Sequence, residues 1–371
     1  MSEMAKKQSS RILTFDLLRG WFLVAILLDH LQYFPNGLDI LTGRGQLYVS
    51  AAEGFFLISG IVLGIVRGRK LIEKPFKVAA ALLVKRGIHL YIAAVVLFFL
   101  FTFIGWFFID NPGVKPGIRP VGEDIWSLIK GALTFDYIYG WADYLRLYAV
   151  YLLASPLAIW LLRKKLWCVL LAISLGIWTL FDFMPLETPE LSQMYSWQLI
   201  FFGGMIIGFY LDPIREWWQN RSKVAKRWLI GSIVVVAAIT ALANYILTIH
   251  GDAMFGEATR AAIDTRLQPY LNKERLPLPR IALFLAWFIA AFWLFHKYEK
   301  IIMRRLSWLL MPFGTNSLYV YIIEAFVIYL VHLLVPEATS NWVVNLALSL
   351  GCLAIVWLAL RYKFLMKIIP R

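Results

Sequence analysis

The chain has 371 residues, of which 60% are hydrophobic and only 16% charged, with a mean hydropathy of +0.68. Soluble domains carry about 25% charged residues, and the apolar runs here are repeatedly long enough to cross about 30 Å of hydrocarbon, so a pair of soluble domains is excluded. The net charge of +14 does not point to nucleic acid: the basic residues fall between apolar runs, and no soluble basic domain exists to lie along a duplex.

These runs predict an all-α fold: a polytopic transmembrane helical bundle of about ten membrane-spanning helices, forming one integral membrane domain over residues 1–371. A cytoplasmic tail, 1–14, precedes spans at about 15–34, 47–66 and 82–108. The polar, Pro/Gly-rich segment 109–143 follows as an outer-side loop, with a short amphipathic piece around Trp126–Tyr139 that reads as interfacial. Spans at about 144–162, 166–184, 196–213 and 228–249 lead to a second outer-side loop, 250–280. The last three are expected at about 281–296, 308–334 and 342–361. With both termini in the cytoplasm, 26 Lys and Arg fall inside and 10 outside, the positive-inside bias that supports this topology. Cys168 and Cys352 each sit inside a predicted helix, with no disulfide or zinc spacing, and no metal is expected.

The first helix carries the chemistry. Arg19 and His30 are eleven positions apart, three turns plus about 20°, so they share one face about 16 Å apart along the axis. Asp16 lies on the same stripe. Ionisable groups on one face of a spanning helix are costly unless that face looks into protein or a polar cavity. His30 is the natural general base, since an imidazole titrates near neutrality. Asp29 points about 100° away from it. Glu53, at nearly the same depth in the next helix, is the expected orienting partner.

The sequence RILTFDLLRGWFLVAILLDH followed by SAAEGFFLISGIVLG resembles the start of the OpgC family, within the membrane acyltransferase 3 superfamily. Arg19 and His30 match that superfamily's Arg-x10-His hallmark, and Lys85-Arg86 through His89 and Tyr91 is similar to its basic motif. Leu145–Lys165, Trp197-Gln198 and Gly314–Glu324 extend the likeness. It departs at Ser50, where an aspartate is usual, and at Arg146, where a proline is usual.

The resemblance implies a CoA-dependent O-acyltransferase that moves an acyl group, from succinyl-CoA or acetyl-CoA, to a glycan hydroxyl; OpgC proteins are associated with succinylation of periplasmic glucans. Arg19, Arg67, Arg69, Lys70, Lys85, Arg86 and His89 are then expected to hold the anionic CoA donor from the cytoplasmic mouth. Asp16, Arg19, His30 and Glu53 are the expected catalytic set, and Trp197, Gln198 and Glu324 are expected to meet the glucan acceptor. Ser59 fits better as a small packing residue, with Gly54, Gly60 and Gly64, than as an acyl carrier. The alternative is a transporter or flippase for an anionic glycan or lipid, which paired broken helices would favour; none is evident. A non-catalytic scaffold would leave the intramembrane ionisable residues unexplained.

Overall fold

The computed structural model describes residues 12–369, apart from 123, 138, 142, 187 and 188. Among the described residues there is no strand. The central helix, α1 (Leu13–Leu31), ends where Gln32 turns left-handed at φ 54°. Leu17, Leu18, Leu23 and Leu27 are fully buried, so bundle surrounds it on several sides. The next helix, α2 (Ala51–Leu63), opens on a capping box: Ser50 caps the first turn while its backbone N–H donates to Glu53 at 2.7 Å. It runs on into a π-helical turn, Gly64–Arg69.

Outward, α3 (Phe76–Phe107) exposes a stripe through Ile88, Ile92, Val96, Leu100 and Phe103, and packs its other side on α5 (Tyr144–Arg163). Between them lies the short amphipathic α4 (Ile125–Thr134), within the piece expected to be interfacial. Next come α6 (Trp167–Phe183) and α7 (Pro189–Phe209). The α2–α7 crossing is a reciprocal small-residue contact. A Cβ on Gly60 or Gly64 would strike the carbonyls of Phe201 and Met205, and one on Gly204 or Gly208 those of Leu57 and Ile61.

Two mostly exposed helices, α8 (Lys223–Tyr245) and α10 (Leu278–Lys297), pack on each other. The segment joining them is not the irregular loop expected. It contains a π-helical turn, Ile246–His250, and the solvent-facing α9 (Glu257–Leu271). The span expected at 308–334 is also divided. An amphipathic α11 (Glu299–Thr315) stops at Asn316, one turn after Pro312, and α12 (Ser317–Leu334) begins afresh. Gly20 and Gly314 let α11 lie directly against the backbone of α1. The buried α12 runs parallel to α1: Arg19 donates to Ser317 near its start, and His332 Nε2–H donates to the Leu31 carbonyl at 3.0 Å near its end. The last helix is α13 (Trp342–Arg361).

Seven helical segments are long and apolar enough to cross a membrane, and the bent pair Leu191–Phe209 and Leu211–Gln219, at 68°, makes an eighth. The helix α1, which holds Asp16, Arg19 and Asp29, and the 17-residue α6 fall outside that measure; with them the bundle has, among the described residues, the ten helices expected. The exposed apolar surfaces fit a lipid environment, as in a multi-pass membrane protein.

Candidate active site

Helical phase puts Arg19, Leu23, Ile26 and His30 on one face of α1. Between its charged ends this face borders a small apolar cavity of about 30 Å³, lined also by Phe55, Tyr144, Leu318 and Tyr321. The Arg19 guanidinium lies 5.3 Å from the centroid of the Phe55 ring. Arg19 and His30 therefore face bundle rather than lipid, and the small cavity between them, which neither lines, is no channel joining the two. Asp16 is buried, its backbone carbonyl against Gly314 of α11.

Around the half-buried His30, the two long connections and the end of α12 converge. Trp141 packs on the imidazole at 5.2 Å between ring centroids and touches His332 at 5.6 Å. Lys115 donates to the Gly140 carbonyl and lies 4.4 Å from the centre of the Trp141 ring. The charges that bear on His30 are those of Asp143, Lys273, Lys115 and His332. Asp143 caps α5 by accepting from the Tyr144 N–H at 3.0 Å, and accepts from the Tyr321 hydroxyl at 3.3 Å. Burial pushes its carboxyl up, but Lys115, His30, Arg146 and Lys273 together hold it below the ordinary carboxylate range. The Tyr144 phenol pushes the Lys273 ammonium above its ordinary value, against the burial that lowers it. Lys273 is thus a fixed cation whose charge bears on the His30 imidazole.

Lys273 arrives on a strap, 272–276, that leaves the end of α9 and dips into the bundle. Trp197 Nε1–H donates to the Lys273 carbonyl at 2.9 Å, Trp178 Nε1–H to that of Leu276 at 3.0 Å, and Ser196 Oγ–H to that of Glu274. Arg280 binds the Leu271 carbonyl at 2.6 Å from below.

Several expectations change. Glu53 does not orient His30: its Oε1 pairs with Arg280 Nε at 2.6 Å and its Oε2 with the Ser50 N–H, so both oxygens serve the fold. Asp143 is the carboxylate in the field of His30. Trp197, fully buried, packs on Phe56 and Tyr144 and acts through the strap rather than meeting an acceptor. Gln198 donates to the Ser174 carbonyl at 2.6 Å and so ties α7 to α6. Glu324 is buried within α12, with neither carboxyl oxygen hydrogen-bonded among the described residues.

The basic cluster also divides. The Arg86 charge bears on Arg67, both half-buried, but Arg69 pairs with Asp212 at 2.7 Å and Lys70 is exposed. Lys85 and His89 lie on the exposed side of α3, where His89 Nδ1–H donates to the Lys85 carbonyl at 2.6 Å. At 100° per residue Arg86 lies about 100° round from Lys85 and about 60° from His89, at the half-buried edge of that side.

Asp143, Lys115, Lys273 and His332 carry no functional reading from sequence, where Trp141 reads only as an aromatic that could face a glycan. Only Asp143, directly before an apolar helix, had a local signal, that of an N-cap.

Fold and chamber together define a multi-pass helical membrane protein with an ionisable site held between its helices and two of its connections. A family model described as "OpgC protein" matches residues 11–368, nearly the whole chain, and the chain belongs to the OpgC family. Comparison with the curated proteins and with the solved structures gives no match. In general terms, membership supports a membrane-borne transferase that modifies a glucan by acyl transfer.

Proposed function

We propose that the protein is a CoA-dependent O-acyltransferase of the bacterial inner membrane, with both termini cytoplasmic, that moves a succinyl group from acyl-CoA to a glucan hydroxyl. The observation that carries this reading is the placement of His30 among Asp143, Lys115 and Lys273, at one end of a stripe that Arg19 begins.

In this reading His30 takes the proton of the acceptor hydroxyl as its oxygen attacks the thioester carbonyl carbon. The tetrahedral oxyanion develops against the Lys115 and Lys273 ammonium groups, which need no reorganisation when charge appears. The C–S bond then breaks, and the imidazolium returns its proton to the departing CoA thiolate. Asp143 stabilises the imidazolium between these steps. Arg19, with Arg67 and Arg86 nearer the cytoplasmic end, meets the anionic donor. The donor arm reaches His30 only if the helices around Phe55 and Tyr144, which enclose a cavity of about 30 Å³, part to open a path, a rearrangement that binding would drive.

The test is incubation of purified protein with succinyl-CoA or acetyl-CoA and glucan oligosaccharides, followed by mass spectrometry of the sugars. Acylated sugar is expected. Unmodified sugar with every donor, from protein that CoA nonetheless stabilises thermally, contradicts glucan as acceptor. The absence of both effects contradicts the CoA-dependent reaction.

A further inference from the structure

At the end of the bundle where α1 stops, a cleft of about 240 Å³ opens, lined by eight polar or charged side chains and four leucines. Gln46 and Tyr48, from the α1–α2 connection, form one wall. Asn244 and Thr248, where α8 passes into its π-helical turn, form the second, and Arg260, Asp264 and Gln268 on α9 form the third.

The cleft is framed rather than incidental. Asn244 is almost fully buried, accepts from the Tyr48 N–H at 2.7 Å, and donates to Thr248 Oγ1 at 3.2 Å. One side chain thus fixes two walls relative to each other. A π-helical turn redirects side chains that an α-helix would space regularly, and such turns are frequent at functional sites. Burial and the Asp264 carboxylate push the Tyr48 phenol above its ordinary range, and both side chains line the opening.

The charges in the lining cancel locally. Arg260 pairs with Asp252 at 2.8 Å and lies 3.6 Å from Asp264, while Arg280 at the base is held by Glu53. No cation is left in excess for a phosphate or carboxylate ligand. Asn244 and Thr248 serve the frame, and Gln46 accepts from Arg260 at 3.2 Å; the Tyr48 phenol, the Asp264 carboxylate and the Gln268 amide, beside four leucines, give the mixture of polar groups and apolar surface that suits a neutral polyhydroxyl ligand. The cleft adjoins the strap: Leu271 lines it, and two residues further along the chain stands Lys273.

We propose that this cleft is a saccharide subsite, holding a sugar ring of the acceptor beside the strap that carries Lys273. The proposal rests on the glycan-acylating reading and adds to it where the acceptor is held.

The test is binding of a neutral β-glucan oligosaccharide to the purified full chain by calorimetry, without acyl-CoA, alongside the transfer assay. Tyr48→Ala and Asp264→Ala are expected to weaken binding about three- to tenfold each, the loss of one neutral hydrogen bond. Glu257→Ala, on the same helix but outside the cleft, should bind as wild type does. Unchanged melting profiles establish that each variant is folded. Equal affinity in both cleft variants, or no binding by wild type, overturns the subsite. Cleft-dependent binding by a wild type that transfers no acyl group supports the subsite and overturns the reaction instead.

Discussion

Glu53 is fully buried, and its carboxylate is satisfied by Arg280 on one oxygen and the Ser50 N–H on the other. Removing one member of a buried pair leaves an uncompensated charge, at a cost of about 3–5 kcal/mol. Arg280→Met should therefore lower thermal stability sharply, and the double variant Glu53→Gln/Arg280→Met should recover much of the loss. In the chamber, Lys273→Met should reduce the transfer rate by about 10²- to 10³-fold, the cost of losing one preorganised oxyanion partner, in a single-turnover assay. Asp143 gives a pH dependence. Its folded-state pKa is depressed, so its stabilising contribution is present above its unfolded pKa of about 3.9 and is lost as pH falls through the lower folded value. Acid melts should show wild type losing, below about pH 4, a stability advantage over Asp143→Asn that it holds at neutrality. The Arg19–His30 stripe is legible in sequence because both residues sit on one helix and phase alone relates them. Asp143, Lys115 and Lys273 come from two distant connections, and the Arg280 partner of Glu53 lies 227 positions away, so no local pattern discloses them.

Among the elements, the α2–α7 crossing is a close one, where glycines on each helix meet backbone on the other. Gly204→Leu should force these helices apart and destabilise the protein by about 1–3 kcal/mol, read from thermal unfolding in detergent. The crossing matters to the site because α7 carries Ser196 and Trp197, which hold the strap. The helix count follows from hydropathy, but two features of the elements do not. The stop at Asn316 is announced by Pro312 and Gly314, yet the apolar run continues through it and hides the break. Polarity marks 250–280 as a connection, and nothing in its composition says that its last residues re-enter the bundle. They do so because three side-chain N–H or O–H donors on α6 and α7 receive the carbonyls of the strap.

At the scale of the whole molecule, apolar surface faces outward on α3, α8, α10 and α13 while the ionisable groups gather around α1 and α12. That division is what a lipid environment requires, since a charge is tolerated in a membrane where protein or a polar cavity surrounds it. The family match spans the same residues as the bundle, so fold and membership describe one unit. The central claim is that His30 is the base of an acyl transfer, and comparing wild type with His30→Ala for acyl-CoA-dependent acylation of glucan tests it most directly. The account predicts acylated glucan from wild type and none from a His30→Ala protein that melts normally and is still stabilised by CoA. Transfer by that variant at the wild-type rate would contradict it.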